Sequence, residues 1–224
     1  MGEMIKFTAN GRETEGYLSL PPGGTGPGVI VIQEYWGLVP HIKAVTDRMA
    51  GEGFVALAPD LYHGEKTTSA DQAWKLLLAL RADEAERDLR GAVRSLFQHK
   101  AVSPKKVGTI GFCMGGALSL FAASKNPEVA AAVVFYGIHP NITPDLPNLR
   151  APVLGIYAEK DGFVSQDVVA ALDRELTRLD KRHEFHTYPG VDHAFFNDEG
   201  KNYNRDAAES AWKRAVEFLR RELK

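Results

Sequence analysis

Cysteine occurs once in 224 residues, at position 113, so no disulfide can form within the chain, as suits a reducing compartment. No apolar run approaches the length that spans a bilayer. The N-terminal MGEMIKFTANGRETEG has no apolar core of the kind a secretion signal needs, and the expectation is a cytoplasmic protein. Charge is balanced: 27 Lys and Arg against 29 Asp and Glu give a formal net charge of −2, with no basic face to attract nucleic acid or an anionic membrane. Internal repeats, low-complexity tracts and linkers are also missing, which leaves one domain over 1–224. Without sustained heptads, nothing beyond a monomer or a small homo-oligomer is expected.

The chain is 44% hydrophobic and 25% charged, enough for a sizeable buried core. Two short runs, 5–9 and 14–20, flank the pair Asn10-Gly11, a strong signal for a tight hairpin turn. VIVI at 29–32 is continuous and β-branched, the pattern of a strand covered on both faces. Further runs follow at 54–58, 106–112, 129–137, 152–158 and 183–189. Between them, 41–51, 70–99, 114–124, 166–180 and 204–223 carry apolar residues three and four apart and read as amphipathic helices. Ser69 and Gln72 suit a capping box before the second of these. Alternating strands and helices imply an α/β fold: a mostly parallel sheet with an antiparallel N-terminal hairpin and helices on both faces.

In such sheets reactive groups gather beyond the carboxyl ends of the strands. Gly111, Cys113 and Gly115 form a GxCxG pattern where a strand ending near Phe112 meets a helix beginning near Met114. A sharp strand-to-helix turn presents the central side chain outward, and the glycines remove side chains that would collide with neighbouring backbone. The helix N-terminus predicts a lowered thiol pKa and free amides for a developing oxyanion. Taken alone, the pentapeptide fits a packed structural cysteine as well as a nucleophile.

A cysteine nucleophile needs a base, and the base an orienting partner. Of seven histidines, His183 and His186 differ by an odd step within a strand and face opposite ways. His41, His63, His99 and His139 fall in helix starts, loops or polar contexts, where a solvated or structural role is the ordinary one. His193, in GVDHAFFND, lies between the last strand and the last helix; Asp161 follows the strand at 152–158. Nucleophile, acid and histidine thus follow three strands in the chain order of an α/β-hydrolase triad.

With these residues in view, the sequence resembles the dienelactone hydrolase family, a cysteine-using branch of the α/β-hydrolases, over essentially its whole length. The resemblance rests on VIVIQEYWG (29–37), APDLYHG (58–64), VGTIGFCMGG (107–116), KDGFV (160–164) and the final DHAF (192–195). It implies that Cys113 is the nucleophile, His193 its base and Asp161 the carboxylate that orients the base. It further implies that Glu34 helps take the thiol proton when substrate arrives, and that the backbone amides of Tyr35 and Met114 form the oxyanion hole. A thiol kept protonated at rest is guarded against oxidation.

The sequence departs from the family pattern at two places, Asn197 and Ala70, where the best-known members use arginines to grip a substrate carboxylate. Trp36, Trp74, Phe163, Phe195 and Phe196, with Tyr35 and Asn197, suggest instead an apolar or aromatic pocket, with the loop from Leu61 to Thr68 at its edge. The reaction implied is hydrolysis of a carboxylic ester or lactone, with neutral or aromatic substrates preferred and neither a metal nor an organic cofactor needed. A thioesterase with the same site, and a non-catalytic ligand-binding protein of this fold, are the alternatives.

Overall fold

A computed structural model describes residues 2–9 and 11–224. Strand β1 (Glu3–Ala9) pairs antiparallel with β2 (Arg12–Ser19), in a register that sets Ala9 opposite Arg12. That pairing leaves a two-residue connection, of which Asn10 lies outside the described residues and Gly11 takes φ +73°. The remaining strands are β3 (Gly26–Ile32), β4 (Val55–Pro59), β5 (Val102–Phe112), β6 (Val129–Phe135), β7 (Val153–Ala158) and β8 (His183–Tyr188). They join the hairpin in one sheet of order β1-β2-β4-β3-β5-β6-β7-β8. β2 meets β4 antiparallel, and every pairing from β4 to β8 is parallel.

β3 shows why the central strands read as unbroken apolar runs. Ile30 and Ile32 enter the core on one face of the sheet, while Val29 and Val31 enter the core on the other, so period-two alternation serves two apolar layers. The first layer receives α2 (Ala70–Ala79), α3 (Ala82–Gln98), α4 (Met114–Lys125) and α5 (Gln166–Arg178) through Leu77, Leu89, Leu118 and Leu176. The second receives α1 (Pro40–Gly51) and α6 (Arg205–Glu222) through Ile42, Val45, Met49, Trp212, Val216 and Leu219.

Two expectations need correction. The helix predicted over 70–99 is two helices, because Leu80 and Arg81 are extended at φ −63°, ψ 118° and φ −86°, ψ 128°. Asp83 and Glu84 supply the acidic first turn of α3, and the Arg81 Nε and Nη2 groups donate to Asp83 at 3.2 and 3.3 Å, a side-chain clasp at a break that neither Gly nor Pro marks. The capping box does not form either: Ser69 occupies the N-cap of α2 without a side-chain cap bond, and its amide donates instead to Thr67 Oγ1 at 3.0 Å. Among the described residues no helix is long and apolar enough to cross a membrane.

Candidate active site

Beyond the carboxyl end of β5 the chain turns into α4 at Cys113, which takes φ 55° and ψ −120°. That combination is sterically costly for a residue with a Cβ and is held only when the surroundings over-determine it. They do so here through the Cys113 amide, which donates to Phe135 O at 3.0 Å, and through its carbonyl, which accepts from Gly116 at 2.9 Å and Ile138 at 3.3 Å. A Cβ on Gly111 would strike the Gly115 carbonyl, and one on Gly115 the carbonyls of Ile32 and Gln33. The glycines of the pattern therefore let β5, α4 and the end of β3 approach backbone to backbone.

The carboxylate of Asp161, just past β7, is fixed from behind. Its Oδ1 accepts from the amides of Phe163 (2.8 Å) and Val164 (2.9 Å), while Oδ2 lies 2.8 Å from His193 Nδ1. A carboxylate can only accept, so Nδ1 carries the hydrogen and Nε2 presents its lone pair. The imidazole sits between the rings of Tyr136 and Phe163, each 5.0 Å away and edge-on. His193 O accepts from Asn202 Nδ2 at 2.9 Å.

Glu34, beyond β3, is 2% exposed. Asn197 Nδ2 donates to its Oε2 at 2.7 Å, and the orientation of that amide is fixed because Asn197 Oδ1 accepts from the Glu199 amide at 3.0 Å. Burial raises the Glu34 carboxyl above its ordinary range; the charges of His41 and His193 and the Asn197 bond oppose the rise, and Glu199 adds to it.

Burial is likewise the main influence on Cys113, followed by the charge of Glu34, and together they push the thiol far above its usual value. This overturns the lowered pKa expected from the helix N-terminus. The backbone amides of Met114 and Tyr35 do pull the sulfur downward, but desolvation outweighs them. At rest the group is a neutral thiol.

Glu34, Tyr35, Trp36, Trp74, Cys113, Phe163, His193 and Asn197 all line one cavity of about 440 Å³. Phe195 and Phe196 do not: both are buried in the core, where Phe196 stacks between Phe112 and Trp212 at 4.9 and 5.8 Å. The β8-to-α6 segment turns at Ala194, φ +62°, after which these two rings point into the layer under α6. The 61–68 loop is not part of the wall either; it braces Trp36, whose carbonyl accepts from Thr67 at 3.0 Å.

Sequence reasoning missed Leu77, Ile138, Lys201 and Asn202 as lining residues. Ala70, Trp74 and Leu77 share a face of α2 at helical spacing, a signal that was available. The carboxyl end of that helix is held by His139, whose Nε2 donates to Leu77 O at 3.2 Å while Nδ1 accepts from the Asn141 amide at 3.0 Å. Among the described residues no cluster of three or more His, Cys, Asp or Glu could hold a metal ion.

Residues 14–223 match the sequence profile described as the Dienelactone hydrolase family. A protein named usf from Aquifex pyrophilus is 40% identical, with all of both chains covered. A protein of Aquifex aeolicus, provisionally named a carboxymethylenebutenolidase, is 38% identical over the whole of both chains. Among solved structures, one from Klebsiella pneumoniae, provisionally named a dienelactone hydrolase, superposes with a TM-score of 0.90 at 28% identity, covering 98% of each chain.

Proposed function

Because this chain belongs to the dienelactone hydrolase family, we propose that it hydrolyses carboxylic esters or lactones through a thioester on Cys113. The observation that carries the reading is the line from Asp161 through His193 towards the cavity that Cys113 also lines. The relatives' names, which include a carboxymethylenebutenolidase and a lactonase, agree with it.

The resting thiol is neutral and must lose its proton as substrate binds. Glu34, a buried carboxyl lining the same cavity, helps take that proton and passes it to Nε2 of His193, which becomes the imidazolium, and the sulfur attacks the carbonyl carbon. A C–S bond forms while the carbonyl electron pair moves to oxygen, where the amides of Tyr35 and Met114 meet the charge. Collapse expels the alcohol oxygen, protonated from the imidazolium of His193, and leaves the thioester. His193 then takes a proton from water, the hydroxide adds to the thioester carbon, and cleavage of the C–S bond releases the acid while the departing sulfur takes the proton back from the imidazolium. Asp161 holds the tautomer throughout.

The wall favours neutral acyl groups with apolar or aromatic bodies. Trp36, Trp74, Leu77, Ile138 and Phe163 supply it, and the two positions at which the family resemblance would place carboxylate-gripping arginines are Ala70 and Asn197. Lys201 and Asp71, of opposite charge, are both lining residues. The assumed setting is a cytoplasmic monomer or small homo-oligomer acting on a small molecule.

Cys113→Ala should abolish both the burst and the turnover of an activated aryl ester, a loss on the order of 10⁴-fold or more, with the circular dichroism spectrum unchanged. Retained turnover would overturn the assignment. A panel of neutral and anionic esters tests the pocket, and a strong preference for anionic lactones would contradict the reading of Ala70 and Asn197.

A further inference from the structure

We propose that Asp198 and His41 form a second carboxylate–imidazole pair whose task is to keep Glu34 ionised and ready for the thiol proton. This makes His41 a positioning residue for the acid/base step, and it rests on the reading of Glu34 given above.

His41 is on α1, seven residues after Glu34, and is 4% exposed. Its Nδ1 lies 3.0 Å from Asp198 Oδ1. The carboxylate accepts, so that nitrogen is the donor. Nε2 is also buried and has no hydrogen-bond partner among the described residues. An imidazole with one nitrogen committed to a carboxylate and the other buried without a partner costs stability if packing is its only role.

The loop between β8 and α6 ties the two pairs together. Asn197 donates to Glu34 at 2.7 Å, and the next residue, Asp198, engages His41. Two adjacent side chains of one loop thus hold a carboxyl and an imidazole that come from the two ends of the β3-to-α1 connection. Charge on His41 is the strongest influence opposing the effect of burial on Glu34, ahead of Asn197 and His193. The other titratable and charged groups around Glu34 are Glu199 on the same loop, which acts in the opposite direction, and Tyr35, Cys113 and Tyr136, all of which feel the Glu34 charge. When the ring paired to Asp198 carries a proton on both nitrogens, its charge offsets the desolvation of the Glu34 carboxylate without touching substrate.

The test is the pH profile of kcat/KM for an aryl ester with His41→Gln, Asp198→Asn and Glu34→Gln. Loss of the His41 charge should move the acid limb to higher pH by about one unit, a roughly tenfold loss on that limb, while the plateau at higher pH stays near that of the parent. Asp198→Asn should move it the same way by less; its side chain is 61% exposed, so folding is not at stake. In a Glu34→Gln background neither change should shift the limb further. If Glu34→Gln alters the profile but both His41→Gln and Asp198→Asn leave it in place, His41 merely packs and the proposal is overturned. If Glu34→Gln itself leaves rate and profile unchanged, the reading of Glu34 fails, and the proposal with it.

Discussion

Cys113 is held at φ 55°, ψ −120°, a conformation that costs a residue with a Cβ on the order of 1–3 kcal/mol and that glycine, free to adopt mirror-image β geometry, enters without penalty. Cys113→Gly should therefore melt above Cys113→Ala, the reverse of the ordering found at most positions, as differential scanning calorimetry of the two inactive variants would show. The three members of the proposed triad were legible because each follows an apolar run and they occur in the order nucleophile, acid, histidine. The pKa of the thiol was not legible. Its direction is decided by how deeply the sulfur is buried and by the nearness of Glu34, which follows a strand and lies 79 positions earlier in the chain. His41 escaped for a related reason: a histidine at a helix start is ordinary in sequence, and only the fold brings Asp198 to it across 157 residues.

Among the elements, α2 is the one that bears most directly on what the cavity admits. Ala70, Trp74 and Leu77 line the wall, whereas most of the other lining residues come from the segments that follow the strands. Trp74→Ala should raise KM for aromatic esters several-fold while kcat stays within about twofold, since binding is lost equally from ground and transition states; steady-state kinetics on phenyl and alkyl esters of matched reactivity would check this. The sequence pattern marks α2 and α3 as apolar-striped and helical but joins them. The run LLLALRADEAERD contains no glycine or proline, and its periodicity continues across Leu80 and Arg81. The break is set by tertiary demands, with α2 reaching the cavity and α3 packing on the sheet.

For the molecule as a whole, the sheet and its two helical layers could be read from sequence because central strands such as β3, β4 and β6 carry residues for both cores in alternation. The buried charges could not, and they govern stability against pH. Glu34 has a carboxyl raised above its ordinary value in the folded state. In the window from the ordinary carboxylate range up to that raised value, the folded form binds more protons than the unfolded one, so stability falls as pH rises and the deficit is complete above the window. Glu34→Gln removes this deficit. It should melt higher than the parent above that window, with the gap closing as pH falls into the ordinary carboxylate range of about 4; thermal denaturation from acid to alkaline pH would reveal it. The break at Leu80 and Arg81 has a longer-term consequence. Because α2 is joined to α3 through two extended residues and held at its end by His139, descendants of this gene can rewrite the pocket-facing side of a ten-residue helix, changing diet while inheriting the sheet and its chemistry intact.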